Sequence, residues 1–494
     1  MLQQHLLWKN QKHRQMTQPN SEERDTEPDI QLFEAQKKVY PRDVVGRYRR
    51  LKWFFMAICL SLYYFAPFLR WDRGPKVPDQ AILIDLPNRR AYFFMIEIWP
   101  QEVYYIAGIL IFAAITLFFV TSLLGRVWCG YFCFQTVWTD IYYKIERIVQ
   151  GDRNARMKLD ESPLSFEKIW KKLLTHILWI VVAVLTAGAF VFYFNDAPTL
   201  WKEIFEGNVS TTVLGFVAGL TASTYIMAGF AREQVCTYMC PYARFQSAMF
   251  DKDTLIIGYE PYRGEPRGKH KAGTSWEGKG HCVDCSQCVQ VCPTGIDIRN
   301  GLQLECIACG LCVDACNSVM DKLELPRGLI RYDTEHNFEL RLQGHNPEIH
   351  MLRPRTVAYS LILAVVGLTM LVSLLLRSPL ELHAIHDRNP LFVVLSDGKV
   401  RNGYELKVLN KTHEDKSFHL SVEGMDGAQI HVQSVDGSTA ENLKVKPDSV
   451  GHFRVFISAT KQSDENKEIV FRVKDNTAEY EDDVESLFIS GEGK

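Results

Sequence analysis

Apolar residues in this 494-residue chain gather into five long runs, with polar stretches between them. A helix that crosses a membrane needs about 20 mostly apolar residues. Five runs come close to that length: 53–69, 103–124, 173–194, 211–230 and 357–376. The first run is the least secure, because it is short and contains Pro67. The pattern therefore predicts an α-helical membrane protein with about five transmembrane helices.

A different pattern follows the last run. From residue 378 onward, short apolar–polar alternations are separated by turns of Gly, Asp and Asn. The candidate strands lie at 391–395, 405–409, 418–422, 429–432, 453–457 and 469–473. Short strands at this spacing are typical of an all-β sandwich. We predict a C-terminal immunoglobulin-like domain with no catalytic pattern of its own.

Lysine and arginine indicate the orientation. They crowd the segment before the first run and the segment between the second and third runs, whereas only Lys202 lies between the third and fourth. Because positive residues favour the cytosolic side, we expect the N-terminus inside and, after five crossings, the C-terminal domain in the periplasm. Several basic residues oppose this assignment, since they fall on the predicted outer side: Arg70, Arg73, Lys76, Arg89 and Arg90.

The predicted organisation has five parts. Residues 1–50 are polar and basic and lack an early apolar core, which predicts a disordered cytosolic tail rather than a secretory signal. The other parts are four helices at 51–250, a cytosolic ferredoxin-like domain at 251–350, a fifth helix at 351–377 and the periplasmic domain at 378–494.

Composition and cysteine spacing narrow the classes of function that the chain can have. The formal net charge of −2 and the pI near 6.7 give no electrostatic footprint for nucleic acid. Twelve of the thirteen cysteines lie between Cys129 and Cys316, and the other, Cys59, lies in the first apolar run. Spacings of two and three residues favour metal ligation over a disulfide framework. Since thiolate ligands need a reducing compartment, the cysteine-rich part should face the cytosol.

The strongest motif is a pair of cysteine runs with the bacterial ferredoxin spacing, in which the fourth cysteine of each run binds the other cluster. The runs are Cys282-x2-Cys285-x2-Cys288-x3-Cys292-Pro293 and Cys306-x2-Cys309-x2-Cys312-x3-Cys316. The first 4Fe–4S cluster should use Cys282, Cys285, Cys288 and Cys316. The second 4Fe–4S cluster should use Cys306, Cys309, Cys312 and Cys292. Paired zinc sites or spare thiols are the alternatives, but a repeated x2-x2-x3 pattern is unusual for zinc.

A second signal is a pair of C-x3-C elements that follow two of the apolar runs. Cys129 and Cys133 follow the second run, and Cys236 and Cys240 follow the fourth. In a helix, each pair would lie at i and i+4 on one face. Four converging thiolates would suit Cu(I) or redox chemistry, which makes these residues candidate catalytic and copper-binding groups. The alternative is four reduced structural cysteines that share no site.

The chain resembles the cytochrome c oxidase accessory proteins of the FixG, RdxA and CcoG type, which are membrane-bound polyferredoxins. The resemblance runs nearly end to end and leaves out only the N-terminal tail. Besides both ferredoxin runs, it rests on residues 71–75, 98–105, 126–130, 232–241, 263–268 and 388–390. One departure is Phe134, which stands where the first C-x3-C element usually has proline.

The resemblance implies a bacterial inner-membrane protein that reduces Cu(II) to Cu(I) in support of cbb3-type cytochrome c oxidase assembly. It implies that the ferredoxin cysteines bind two 4Fe–4S clusters and that the C-x3-C cysteines handle copper or electrons. The expected partners are the lipid bilayer, a cytosolic electron donor, and oxidase-assembly and copper-handling proteins. Homo-oligomerisation stays open. The chain would then be an oxidoreductase, specifically a cupric reductase.

Two other functions stay open on the sequence alone. A quinol-oxidising membrane ferredoxin relay would share the same cysteine motifs. A non-enzymatic assembly scaffold would use its clusters for structure or sensing. Reduction of the clusters by quinol would favour the relay, and clusters that stay oxidised with every physiological donor would favour the scaffold.

Overall fold

Among the residues that the computed structural model describes, five helices are long and apolar enough to cross a membrane. The structure describes residues 38–74, 77–270, 276–412, 414–425, 427–433, 437–460, 466–476 and 480–491. The candidate spans are Arg47–Phe68, Pro100–Leu124, Phe166–Val191, Thr211–Met239 and Pro354–Leu375. Each overlaps one of the apolar runs, so the predicted helical membrane fold is confirmed. Most of the predicted N-terminal tail lies outside the described residues.

Shorter elements join these spans. The α-helices are α1 (Arg47–Phe65), α2 (Val103–Leu124), α3 (Phe134–Gln150), α4 (Arg153–Glu161), α5 (Phe166–Val191), α6 (Ala197–Glu206), α7 (Thr211–Ile226), α8 (Arg232–Gln234), α9 (Pro241–Met249), α10 (Pro261–Gly264), α11 (Gln287–Gln290), α12 (Leu311–Lys322), α13 (Glu335–Leu342) and α14 (Pro354–Leu375). The strands are β1 (Ile82–Asp85), β2 (Arg90–Phe93), β3 (Ile96–Ile98), β4 (Leu255–Tyr259), β5 (Ile330–Thr334), β6 (Leu380–His386), β7 (Val393–Val394), β8 (Lys399–Asn410), β9 (Lys416–Glu423), β10 (Gln429–Gln433), β11 (Leu443–Val445), β12 (Ser449–Thr460), β13 (Lys467–Asp475) and β14 (Glu481–Phe488).

The C-terminal domain is a sandwich of two antiparallel sheets. One sheet has the order β10-β12-β8-β6, with β7 paired to β8, and the other has the order β11-β9-β13-β14. Their inner faces meet in one core that includes Tyr404, Val455 and Phe471. The predicted immunoglobulin-like domain is confirmed, although the sequence pattern did not identify β6, β11 or β14. β14 alternates mainly between exposed and half-buried positions and therefore carries a weak apolar signal.

Buried polar contacts hold the spans to the domains at their ends. At the ferredoxin end, the Asp314 carboxylate in α12 accepts hydrogen bonds from the backbone N–H groups of Tyr48 (3.2 Å) and Arg49 (2.8 Å). These are free donors of the first turn of α1, so the ferredoxin domain caps the first span. At the sandwich end, the buried Glu102 binds Arg377 at 2.7 Å and Lys411 of the sandwich at 2.6 Å.

A buried ion-pair network centres on α3, a helix that the hydropathy pattern did not predict. Glu146 of α3 pairs with Arg156 Nη1 at 2.7 Å and with Arg232 Nη2 at 2.5 Å, and all three side chains are at most 7% exposed. Burial by itself raises the pKa of Glu146, but the two guanidinium groups outweigh it and the net pKa is lowered. The network fixes the turn that carries Arg232 just ahead of the second C-x3-C element.

Glu146→Ala should destabilise the protein strongly, because it leaves two buried guanidinium groups without their carboxylate. The expected loss is about 3–5 kcal/mol, measured by thermal unfolding in detergent. Glu167→Ala is the matched control, since Glu167 is exposed and pairs only with Lys171 of its own helix. Equal melting temperatures for Glu146→Ala and Glu167→Ala would contradict the network's role.

The same network predicts the direction in which the stability of the fold changes with pH. The folded-state pKa of Glu146 lies below its ordinary value of 4.5. Its contribution to stability is therefore complete above about pH 4.5 and is lost as the pH falls through the lowered pKa. The difference in stability between the native protein and Glu146→Ala should shrink on acidification, as denaturant titrations at several pH values would show.

Candidate iron–sulfur and thiolate site

The two ferredoxin runs fold with the same backbone shape. Asp284 and Ser286, which flank the second cysteine of the first run, have φ values of 52° and 53°. Ala308 and Gly310 flank the second cysteine of the other run and have φ values of 51° and 75°. Residues other than glycine rarely adopt the left-handed conformation. Its recurrence at matching positions therefore shows that the backbones of the two runs follow the same path. This pseudo-symmetry fits two equivalent clusters.

The cysteines predicted to bind the first cluster line one cavity. That cavity is bordered by Cys282, Cys285, Cys288 and Cys316. Burial raises the pKa of Cys288 to about 12, although the neighbouring guanidinium of Arg299 opposes the rise. Thiolates are the ligand form, so a bound cationic metal group would stabilise the deprotonated state here. The residues present therefore fit a 4Fe–4S cluster.

The second predicted set is also brought together. Burial raises the pKa of Cys306 to about 12 and that of Cys309 to about 11. Cys292 contributes to both increases, as well as to the raised pKa of Cys312. Cys292 comes from the other run, so its position here is compatible with the crossed ligand set expected for paired clusters.

The C-x3-C elements are not regular α-helix, so the i, i+4 geometry of a regular helix does not apply to their cysteines. Each element lies in a π-helical turn, Trp128–Phe132 or Val235–Met239, and its second cysteine has an extended backbone. Cys133 has φ −61° and ψ 125°, and Cys240 has φ −78° and ψ 111°. Each of these cysteines then caps a helix. π-helical turns are frequent at functional sites.

Phe134 does not change the local turn, even though it replaces a proline. It occupies the first position of α3, as Pro241 does in α9. Proline is favoured at this position because its φ suits the helix and no N–H partner is needed, but other residues also fit there. The backbone of the two elements is therefore alike despite the substitution.

The four thiols of the C-x3-C elements, hereafter the tetrad, lie close together. Burial raises the pKa of Cys129 to about 12. Electrostatic contributions to that increase come from the other three thiols: Cys133, Cys236 and Cys240. The Cys129 thiol also lies 3.4 Å from the Gln246 side-chain oxygen in α9, the helix that Cys240 caps. The two elements therefore form one site, as the convergence hypothesis requires.

The tetrad packs directly against the second ferredoxin run. Cys129 and Cys236 contact an apolar cluster that includes Ile307 and Cys309. The Tyr131 hydroxyl, inside the first element, donates a hydrogen bond of 3.1 Å to the Cys309 carbonyl. A Cβ added at Gly130 would lie 2.8 Å from the Ile307 carbonyl oxygen, so only glycine allows this close approach.

Arg126 bridges the tetrad and the second ferredoxin run. Its buried guanidinium donates to the Ala243 carbonyl at 2.5 Å and to the Cys306 carbonyl at 3.3 Å. Its charge lowers the pKa of both Cys129 and Cys306, against the larger effect of burial. Sequence reasoning assigned no role to Arg126, Tyr131 or Gln246. Arg126 and Tyr131 lie within the sequence motifs, which could have drawn attention to them, whereas nothing in the sequence identified Gln246.

Gly130→Ala should loosen the contact between the tetrad and the ferredoxin domain. The added Cβ meets a backbone carbonyl, so the loop must shift, and we expect a loss of about 1–3 kcal/mol. Thermal unfolding followed through the cluster absorbance would measure it. Gly219→Ala in α7 is the control, because its Cβ would meet no atom within 4 Å. Unchanged cluster stability in Gly130→Ala would show that the approach is not tight.

The tetrad does not have the spacing of a single metal ion. Sulfurs bound to one tetrahedral ion at about 2.3 Å lie about 3.8 Å apart. Within the described ranges, the one group of three or more ligand atoms all within 4.8 Å of one another is His336, Glu348 and His350, on the surface. No three tetrad sulfurs meet that limit, and neither do three of the ferredoxin cysteines.

Comparison with known proteins agrees with this geometry. Residues 231–335 match the 4Fe-4S dicluster domain, residues 106–151 match a 4Fe-4S binding domain, and residues 370–491 match the IG-like fold at the C-terminal of FixG. The Nitrogen fixation protein FixG of Rhizobium meliloti is 46% identical over 87% of this chain and 88% of its own. The chain belongs to the FixG/RdxA family. Protein RdxA of Cereibacter sphaeroides is 45% identical over 88% of this chain and 92% of its own.

A solved structure of a FixG-related protein from Vibrio parahaemolyticus is also similar. It covers 23% of this chain and 98% of that protein, at 28% identity and a TM-score of 0.20. With its spans, its 4Fe–4S domains and its FixG/RdxA relatives, this family member is a membrane iron–sulfur electron-transfer protein.

Proposed function

We propose that this FixG/RdxA family member is a cupric reductase that supports assembly of a cbb3-type cytochrome c oxidase. Electrons would come from a soluble cytosolic donor and leave at the tetrad, where Cu(II) is reduced to Cu(I). The observation that carries the proposal is the direct packing of the tetrad against Ile307 and Cys309 of the second ferredoxin run. An electron-transfer domain and a group of soft thiols are thereby in contact.

The chemistry balances as single-electron steps. When bound, 4Fe–4S clusters accept and donate one electron, and Cu(II) takes up one electron to become Cu(I). Soft sulfur ligands favour the reduced copper ion, so the sulfur-rich surroundings of the tetrad favour the product over the substrate. We assign the cluster ligands as the crossed sets described above, with Cys316 serving the first cluster and Cys292 the second.

The proposed setting is the bacterial inner membrane with the N-terminus and the ferredoxin domain in the cytosol. The crowding of basic residues before α1 and between α2 and α5 supports this orientation. The sandwich would then lie in the periplasm, where it can meet oxidase-assembly and copper-handling proteins. The reducing cytosol would keep the thiols of both sites available.

Copper reduction by the isolated protein tests the proposal directly. The full chain, purified without oxygen in detergent, would be reduced with dithionite, desalted and mixed with Cu(II) in a stopped-flow instrument. We expect cluster reoxidation to match Cu(I) formation, reported by a Cu(I) chelator. Reoxidation no faster than in a copper-free control would overturn the cupric reductase assignment. Reduction of the oxidised clusters by quinol would then favour the relay function.

A further inference from the structure

We propose that the tetrad binds a third 4Fe–4S cluster, in addition to the two clusters of the ferredoxin runs. The segment 106–151 matches a 4Fe-4S binding domain, yet its only cysteines are Cys129 and Cys133. A 4Fe–4S cluster is held by four cysteine thiolates. The structure supplies the missing two from Cys236 and Cys240, since Cys236 packs against the same apolar cluster as Cys129, and Cys240 caps the helix whose Gln246 oxygen lies 3.4 Å from the Cys129 thiol.

The spacing of the tetrad thiols in this structure is wider than a single tetrahedral ion requires. Sulfurs at the corners of an iron–sulfide cube stand farther apart than sulfurs bound to one tetrahedral ion. Among the residues that the structure describes, three thiols of the tetrad never fall together within 4.8 Å, and the ferredoxin cysteines share this wide spacing. By this measure the tetrad resembles the sets that bind clusters.

A buried amide gives an independent reason to expect a bound group. Gln246 is fully buried, its Oε1 lies 3.4 Å from the Cys129 thiol, and its Nε2 makes no well-formed hydrogen bond, although the Tyr242 hydroxyl lies near this side chain. An unpartnered buried donor costs free energy unless something satisfies it. Hydrogen bonds to cluster sulfurs are among the interactions that set cluster potential, so a cluster at the tetrad would provide an acceptor for this amide.

The charged groups around the tetrad also suit a bound iron–sulfur cluster. Four thiolates need positive compensation, which a cluster's iron would supply together with the buried guanidinium of Arg126. Arg126 also reaches the Cys306 carbonyl, so one cation would face both the tetrad and the second ferredoxin cluster. A third cluster here would extend the electron path from the ferredoxin domain to the ends of the spans.

This assignment does not depend on copper. If the tetrad binds a cluster, Cu(II) would take its electron at the edge of that cluster and would not be held by the four sulfurs. Met239 and Tyr238 of the second element lie at the end of the fourth candidate span and are 57% and 64% exposed, so other parts of the protein do not cover them. The proposed cupric reductase function and the third cluster can therefore fail separately.

Iron content tests the third cluster. The full chain would be grown with ⁵⁷Fe and purified without oxygen in detergent. We expect about 12 irons and about 12 sulfides per chain, since each cluster holds four of each, with cubane Mössbauer signals accounting for the iron. Cys129→Ser/Cys133→Ser and Cys236→Ser/Cys240→Ser should each retain about 8 irons. The quadruple variant should lose no more than either double variant, because both pairs would serve one cluster.

Cys59→Ser is the matched control and should keep the full iron content, because Cys59 lies in α1 and outside the tetrad. About 8 irons in the native protein would overturn the inference even if the variants failed to fold. About 8 irons together with tetrad-dependent copper would overturn it while supporting copper binding by the thiols. About 12 irons without Cu(II) reduction would support the cluster and sink the cupric reductase proposal.

Discussion

Serine replacement of both Cys236 and Cys240 is expected to lower the rate of Cu(II) reduction strongly. These residues supply half of the tetrad, which we place at the exit of the electron path. The loss should reach at least the roughly 10- to 100-fold that follows from disturbing the surroundings of a metal ligand. Stopped-flow reoxidation of the reduced clusters by Cu(II) would measure it.

The ferredoxin clusters must survive this substitution for the result to be informative. Their EPR signals in the reduced variant should match those of the native protein, since neither cysteine belongs to the ferredoxin runs. Cys59→Ser provides the matched control, because it also removes one thiol from a membrane helix and should reduce copper at the native rate. An unchanged rate in Cys236→Ser/Cys240→Ser would remove the tetrad from copper reduction.

Cys316→Ala and Cys292→Ala should each abolish the cluster of the opposite run. Cys316 lines the cavity formed by Cys282, Cys285 and Cys288, whereas Cys292 interacts with Cys306, Cys309 and Cys312. Each variant should therefore lose about four irons and one EPR signal of the reduced protein. The effect is large because removal of the fourth thiolate leaves one iron of a buried cluster without a protein ligand.

Two further variants, each lacking the second cysteine of one run, provide the reference spectra that test the crossed assignment of the cluster ligands. The spectrum of Cys316→Ala should resemble that of Cys285→Ala, because both would remove the first cluster. The spectrum of Cys292→Ala should resemble that of Cys309→Ala, because both would remove the second. The reverse pairing, with each variant resembling its neighbour in the same run, would show that each run binds its own cluster.

Local sequence patterns were sufficient for the membrane and ferredoxin parts. A transmembrane helix satisfies its backbone hydrogen bonds within one segment, so an apolar run of the right length predicts it without knowledge of neighbours. Cluster ligands at x2-x2-x3 spacing are similarly local, because three of them come from one short loop. Strands with weak alternation, such as β14, were missed because their burial depends on the facing sheet.

By itself, the sequence determined the five spans, the family and the eight ferredoxin cysteines, because each depends on composition or spacing within one segment. Only the tertiary structure decided that the two C-x3-C elements meet, since Cys129 and Cys236 are far apart in the chain and pack together through α9 and the loop at Ile307. It also showed that the C-x3-C elements form π-helical turns, so the geometry considered for a regular helix does not apply there. The buried Gln246 Nε2 without a well-formed hydrogen bond likewise became visible only there, because burial depends on every element packed around a residue.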